Sequence, residues 1–273
     1  MSAKKAGGSQ HQSRDIARVA SDSTQELAAH TAVVTGSSSG IGRAIALELA
    51  AAGADVLVHC RRSVDAAALA AEQVKALGGR SAIAVFDLAD AANHERLVEL
   101  GWSWQDGIDI WINNAGADVL TGHAAESSFD DKLHELWRVD VTATVRLTRL
   151  VGARMRARGK GVILNIGWDR ATTGMEGDSG ELFATTKGAI IAFTKSAALS
   201  LAPEVRVDCL APGWIQTAWG IKASEYWQER AARDSQLGRW GTPEDVAKVA
   251  RFLVSPDAAF LSGQIVMVNG GMA

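Results

Sequence analysis

The chain has 273 residues, 47% of them hydrophobic and 22% charged, a balance that excludes disorder throughout and favours a folded globular protein. Its 28 Lys and Arg residues are offset by 31 Asp and Glu residues, and the net charge of −3 argues against a nucleic-acid-binding protein. An apolar run long enough to span a membrane, a signal peptide and a disulfide framework are all absent from the sequence, so we expect a cytoplasmic protein with no membrane partner.

The predicted elements begin after a polar segment, residues 1–29, which we interpret as a flexible N-terminal tail. From residue 30 to residue 273, short apolar runs alternate with amphipathic stretches and predict a single domain. The predicted strands are residues 31–35, 56–60, 81–86, 108–112, 162–166, 205–210 and 265–268, and the first three helices are residues 43–52, 64–77 and 91–104. Strands that are apolar on both faces and alternate with helices predict an α/β fold: a doubly wound parallel sheet with helices on both faces.

A glycine-rich turn lies between the first predicted strand and the first helix. Gly36 permits a sharp turn, Gly40 lets the backbone approach a pyrophosphate, and Gly42 allows close packing of the helix. The start of that helix offers free N–H groups and a positive dipole to phosphates. The pattern predicts a dinucleotide site formed by Gly36, Ser38, Ser39, Gly40, Ile41 and Gly42.

The residues that follow the second predicted strand bear on the choice of nucleotide. An acid at this point would accept a hydrogen bond from a free ribose 2′-hydroxyl, whereas Arg61 and Arg62 suit a 2′-phosphate. We therefore expect NADP(H) to be favoured over NAD(H). A solvated basic loop remains the alternative interpretation.

Further motifs follow the glycine turn in a regular order along the chain. They are Asp87-Leu88, Asn113-Asn114-Ala115-Gly116, Lys187, Pro212-Gly213 with Thr217, and finally Gly263-Gln264 with Asn269-Gly270-Gly271. Together with the sequence TGSSSGIG at residues 35–42, they resemble the short-chain dehydrogenase/reductase family over residues 31–273. The resemblance implies a Rossmann fold, nicotinamide-dependent oxidoreductase activity on a small molecule, and a homo-oligomer, either a dimer or a tetramer.

The resemblance also implies where the cofactor would bind. Asp87 would hold the adenine amino group with Leu88 beside it, and Lys187 would bind the ribose hydroxyls of the nicotinamide nucleoside. The remaining implied cofactor contacts are Asn114, Ala115 and Gly116 at the nicotinamide ribose, and Pro212, Gly213, Ile215 and Thr217 at the carboxamide.

The catalytic positions depart from the family pattern. In the family a tyrosine four residues before the lysine donates a proton, a serine polarises the carbonyl group, and an asparagine holds a relay water. The resemblance places Phe183 at the tyrosine position, Trp168 at the serine position and Asp140 at the asparagine position. A phenyl ring has no proton to donate, and the single tyrosine, Tyr226, lies far downstream. The usual mechanism is therefore not expected.

Acidic residues in the loop before Lys187 are candidates for the missing acid. Burial beside aromatic rings raises the pKa of a carboxyl group, which could then donate a proton. With Lys187, we take Asp169 first and Asp178 second as the candidate catalytic residues. The alternative is that these carboxylates cap the following helix and face water. The six histidines show no metal-ligand spacing, so a metal site is not expected.

Tryptophans dominate the segments that border the substrate cleft in this family. Trp168, Trp214, Trp219 and Trp227 predict a wall that favours a planar or aromatic substrate, and residues 218–240 would form a mobile lid. Two functions stay open. The chain is either an NADP(H)-dependent oxidoreductase that reduces a C=O or C=N bond, or a catalytically inactive NADP(H)-binding or subunit-scaffold protein of the same fold.

Overall fold

Seven parallel strands form one sheet in the computed structural model of the chain, which describes residues 25–271. The strands are β1 (Thr31–Val34), β2 (Asp55–Cys60), β3 (Ser81–Val85), β4 (Ile110–Asn113), β5 (Gly161–Ile166), β6 (Val205–Pro212) and β7 (Ile265–Val268). Their order across the sheet is β3-β2-β1-β4-β5-β6-β7, and every adjacent pair is parallel. The predicted doubly wound parallel sheet is confirmed.

Helices connect the strands and cover both faces of the sheet. They are α1 (Gly40–Ala51), α2 (Val64–Ala76), α3 (Ala92–Trp104), α4 (Phe129–Leu136), α5 (Ala143–Arg158), α6 (Asp178–Leu201), α7 (Ala218–Lys222), α8 (Glu225–Asp234) and α9 (Pro243–Val254). A π-helical turn, Trp137–Thr142, joins α4 to α5. Within residues 25–271, no helix combines the length and the apolar character needed to cross a lipid bilayer.

The core consists of two apolar layers separated by the sheet. Successive side chains of a strand point to opposite faces, so Val34 of β1 packs in one layer and Val33 in the other. Helices α1 and α9 complete the first layer, for example through Leu49 and Leu253. Helices α3, α5 and α6 complete the second. Burial on both faces explains why the strands read as continuous apolar runs.

The packed part of the chain begins before the predicted domain boundary. Residues 1–24 of the predicted tail lie outside the described residues. Leu27, within the same predicted tail, is buried in the core, and its amide donates to the Ala52 carbonyl over 2.9 Å. An apolar side chain at this position therefore fixes the segment against α1 before β1 begins.

Candidate functional site

The glycine turn after β1 has the backbone that a pyrophosphate site needs. Gly36 and Gly40 have φ angles of +66° and +54°, a region that favours glycine. A Cβ atom on Gly42 would collide with the Asn114 amide and the Gly36 carbonyl, whereas one on Gly40 would meet nothing closer than Thr217 Cγ2 at 3.9 Å. Helix α1 begins at Gly40, and the Ser39 side chain does not cap it. Free N–H groups and open space at the helix start fit a phosphate group.

A buried histidine that the sequence interpretation left unused supports this turn. His59 of β2 accepts a hydrogen bond from the Gly36 amide at Nδ1 over 3.0 Å and donates from Nε2 to the Phe86 carbonyl over 3.0 Å. Burial lowers the pKa of His59 to about 4, so the imidazole is neutral at neutral pH. A histidine inside an otherwise apolar strand, directly beside a glycine turn, was the available signal.

The cofactor cleft, a space of about 640 Å³, extends from the glycine turn along the carboxyl ends of the strands. Asn114 is fixed there, since its Nδ2 donates to the Thr35 carbonyl over 2.9 Å. Arg61 and Arg62 lie at the mouth of the cleft and are exposed. Thirteen of the predicted cofactor residues line this cleft: Gly36, Ser38, Ser39, Ile41, Gly42, Arg61, Arg62, Asp87, Leu88, Asn114, Ala115, Gly116 and Thr217.

A second space, the aromatic cavity of about 450 Å³, adjoins the cofactor cleft. Ile41, Asn114 and Thr217 line both spaces, so the two lie side by side at these three residues. The predicted cofactor residues Lys187, Pro212, Gly213 and Ile215 lie on the cavity side. The aromatic residues in its wall are Trp168, Phe183, Trp214, Trp219, Trp227 and Trp240.

Four indole rings form a cluster at one side of this cavity. Trp214 follows β6, Trp219 and Trp227 belong to α7 and α8, and Trp240 follows α8. The centroid of the Trp214 ring lies 5.4 to 6.2 Å from the centroids of the other three. Trp240, which the sequence interpretation missed, is the most buried of the four. Flat apolar walls of this kind favour a planar ligand.

Lys187 and Asp140 form an ion pair at the inner end of the cavity. Lys187 Nζ lies 2.8 Å from Asp140 Oδ2, and the two side chains are only 12% and 2% exposed. Lys187 also donates to the Ile166 carbonyl at 3.4 Å, while Asp140 Oδ1 accepts from the Ala117 amide at 2.8 Å. Asp140 belongs to the π-helical turn, and Lys187 to α6. The structure thus brings together two residues 47 positions apart.

The two candidate acids from the loop lie outside this cavity. Asp169 is buried, accepts from Asn269 Nδ2 over 3.2 Å at one oxygen and from the Arg170 amide over 2.8 Å at the other. Burial raises the pKa of the Asp169 carboxyl, and these hydrogen bonds oppose the rise. Asp178 is exposed as the first residue of α6, whereas the next residue, Ser179, lines the cavity.

Ion pairs connect the loop before α6 with the lid segment, residues 218–240. Arg170 lies 3.2 Å from Asp234 of α8, and Arg230 of α8 lies 2.8 Å from Glu176. Tyr226 is exposed on α8 and receives a hydrogen bond from Arg230 rather than lining the cavity. The described residues 25–271 contain no group of three side chains that could hold a metal ion.

The parallel sheet, the glycine turn and the cleft at the strand ends define a dinucleotide-binding α/β protein. A family model described as enoyl-(acyl carrier protein) reductase matches residues 36–273. With the relatives below, this match shows that the chain belongs to the short-chain dehydrogenase/reductase family of NAD(P)-dependent oxidoreductases.

Two curated relatives and one solved structure illustrate the similarity. The chain is 35% identical over 249 residues to 3-oxoacyl-(acyl-carrier-protein) reductase FabG of Aquifex aeolicus (strain VF5), covering 90% of this chain and 98% of that one. It is 36% identical over 257 residues to dehydrogenase/reductase SDR family member 4 of Sus scrofa, with coverage of 89% and 86%. L-Sorbose reductase of Gluconobacter frateurii, solved with NADPH and L-sorbose, superposes with a TM-score of 0.82 at 32% identity, with coverage of 91% and 98%.

Proposed function

We propose that this oxidoreductase uses NADP(H) to reduce a C=O or C=N bond of a planar, largely apolar substrate. The observation that carries the proposal is that the cofactor cleft and the aromatic cavity adjoin and share Ile41, Asn114 and Thr217 in their walls. A substrate held between the indole rings would stand next to the nicotinamide end of the cleft.

The preference for NADP(H) is supported by the charge at the mouth of the cleft. Arg61 and Arg62 are both exposed, and the ion pair of Arg61 with Glu135 is long at 3.8 Å. Two exposed guanidinium groups can therefore turn towards a 2′-phosphate and bind it through paired hydrogen bonds.

The chain's own residues supply binding and orientation in this proposal. When bound, the cofactor supplies the hydride, and the uncapped start of α1 with the open space above Gly40 holds its phosphates. Trp219 and Trp227 exclude water and fix the plane of the substrate.

Nucleotide titration tests the proposal directly. Tryptophan fluorescence would follow the binding of NADPH and NADH to the wild type, to the Arg61→Ala, Arg62→Ala double variant and to Arg80→Ala, whose exposed side chain pairs with Asp55 outside the cleft. We expect NADPH to bind more tightly than NADH to the wild type and to Arg80→Ala. In the double variant the affinity for NADPH should fall by about 10-fold or more, so that the preference over NADH is lost. Equal affinities in the wild type would contradict the preference.

A second candidate function is a nucleotide-binding protein without turnover. Phe183 and Trp168 favour it, because both rings line the cavity and neither side chain carries a hydroxyl group. The two rings pack edge to face, with their centroids 6.2 Å apart. A panel of cyclic imines, aromatic ketones and quinones with NADPH separates the two functions. Steady NADPH oxidation coupled to one substrate excludes the second candidate.

We also propose a homo-oligomer, a dimer or a tetramer. Strand β7 forms an edge of the sheet, Met267 on it is 42% exposed, and the ring of Phe260 close before it is completely exposed. Unpaired edges with apolar side chains are commonly covered by association. Light scattering of the purified protein would give the mass, and a monomer would refute this part.

A further inference from the structure

Lys187 carries the single titratable side chain among the described residues that line the aromatic cavity. The other exchangeable protons in the wall belong to amide, indole and aliphatic hydroxyl groups, which are much weaker acids than an ammonium group. The Asn114 amide is also engaged, since it donates to the Thr35 and Gly36 carbonyls at 2.9 and 3.2 Å. A substrate that needs a proton in this cavity therefore meets one strong donor.

The hydrogen bonds of Lys187 leave part of the ammonium free. Its Nζ has one bond to Asp140 Oδ2 at 2.8 Å and a long one to the Ile166 carbonyl at 3.4 Å. An ammonium group has three N–H donors. One is held by Asp140, and exchange of the long bond to Ile166 leaves two, one for a ribose hydroxyl of the bound cofactor and one for a ligand oxygen in the cavity. Phe183, one helical turn earlier on α6, carries no hydroxyl that could stand between Nζ and the substrate.

Asp140 holds that ammonium in place. The carboxylate is 2% exposed and is fixed at its other oxygen by the Ala117 amide at 2.8 Å. A buried cation is tolerated when a fixed opposite charge contacts it. The pair therefore keeps a charged amine at the cavity wall, in a position set by the π-helical turn and α6.

We propose that the Lys187 ammonium donates the proton in carbonyl reduction and that Asp140 is its positioning residue. This inference rests on the proposed reductase function. The carbonyl carbon receives the hydride from the reduced nicotinamide, and the π electrons of the C=O bond move to oxygen. The oxygen takes a proton from Nζ, so that an O–H bond forms as an N–H bond breaks. The neutral amine then regains its proton from water. A permanently charged iminium substrate needs the hydride alone.

The Lys187→Arg variant separates charge from proton donation. Arginine keeps the ion pair with Asp140, but its guanidinium does not give up a proton in proteins. The probes are 1-tetralone, a bicyclic ketone that needs a proton, and the N-methyl-3,4-dihydroisoquinolinium ion, a bicyclic of similar size that does not. We expect the ratio of ketone to iminium turnover to fall about 100-fold or more in the variant. An unchanged ratio would overturn the proposal.

A binding measurement that needs no turnover provides a second test of the role of Lys187. Calorimetric titration of 2-naphthol, without nucleotide, would compare the wild type with the Lys187→Met, Asp140→Asn double variant, which leaves no unpaired buried charge. A hydrogen bond from the ammonium to the naphthol oxygen predicts roughly 10-fold weaker binding in the double variant. Equal binding by two folded proteins, as judged by thermal unfolding, would show that Nζ meets no oxygen in the cavity and would overturn the proposal.

The two arms also distinguish this inference from the proposed function. If NADPH fails to bind, the reductase function falls, whatever the naphthol result. If NADPH binds and the ketone is reduced equally well by wild type and Lys187→Arg, the reductase function stands and the role of Lys187 falls. If neither probe is turned over, the naphthol titration decides whether Nζ reaches a ligand oxygen.

Discussion

The imidazole of His59 accepts a hydrogen bond from the backbone amide of Gly36 over 3.0 Å, so that β2 supports the turn between β1 and α1. The other ring nitrogen donates to the Phe86 carbonyl after β3. One side chain thus connects the ends of three strands at the place where the cofactor cleft begins.

Replacing His59 with leucine should destabilise the protein. The variant leaves the Gly36 amide and the Phe86 carbonyl without their partner, and such groups cost about 1–3 kcal/mol each when buried. We expect the free energy of unfolding in urea to fall by about 2–4 kcal/mol. His123→Leu, at an exposed position of the short 3-10 helix Gly122–Glu126, serves as the control and should change it by less than about 0.5 kcal/mol.

The depressed pKa of His59 predicts a pH dependence of stability. The unfolded imidazole takes up a proton as the pH falls through 6.5, whereas the folded one stays neutral down to about 4. The unfolded state therefore binds more protons in this window, and the free energy of unfolding falls with the pH. Between about pH 7 and pH 5 the contribution is about 2 kcal/mol. Urea unfolding at pH 7 and at pH 5 should show this loss of stability in the wild type. An equal loss in His59→Leu would refute its assignment to His59.

Trp219 should contribute directly to ligand binding. Its ring packs against Trp214, with the centroids 6.2 Å apart, and lines the aromatic cavity. Trp219→Ala removes one wall, and we expect 2-naphthol to bind about 5- to 30-fold more weakly, equivalent to about 1–2 kcal/mol. Binding is measured by calorimetry, because the loss of a tryptophan changes the protein's fluorescence. Trp137→Ala, at a 45% exposed position outside the cavity, is the matched control and should leave the affinity within about 2-fold.

Asp234 should control how firmly α8 is held over the cavity. Its carboxylate lies 3.2 Å from Arg170 and 3.6 Å from Arg230, and all three side chains are less than 20% exposed. Asp234→Asn removes the carboxylate that pairs with Arg170 and leaves Arg230 with Glu176, which we expect to cost about 1–2 kcal/mol locally. Hydrogen exchange should then be about 5- to 30-fold faster in the α8 amides. Glu229→Gln, at an exposed position of the same helix, is the control and should leave the exchange unchanged. Equally unchanged exchange in Asp234→Asn would show that these ion pairs do not hold α8 in place.

The fold could be predicted from the sequence because its signals are local. Apolar runs and glycine positions gave all seven strands in order, with small shifts at their ends: the fourth strand was expected at residues 108–112 and is Ile110–Asn113. The glycine turn was equally accessible, because its three glycines are needed for backbone angles and close contacts.

Side-chain direction was not accessible in the same way. Trp168 has an extended backbone and faces the cavity, so its neighbour Asp169 points to the opposite side, towards Asn269. Proximity in sequence to Trp168 therefore does not place the Asp169 carboxyl among the residues that line the cavity. The Asp140–Lys187 pair depends on a π-helical turn, whose extra residue per turn re-aims Asp140 and has no clear sequence signal.

The cluster of four indole rings gives the molecule an intrinsic optical signal. Trp214 is attached to the sheet, whereas Trp219 and Trp227 belong to the lid segment, and their ring centroids lie 5.4 to 6.2 Å apart at interplanar angles of 22° to 62°. Transition dipoles this close and inclined to one another couple, and coupled chromophores give a paired band of opposite signs in circular dichroism. The amplitude of that band would report lid opening in solution without any attached dye.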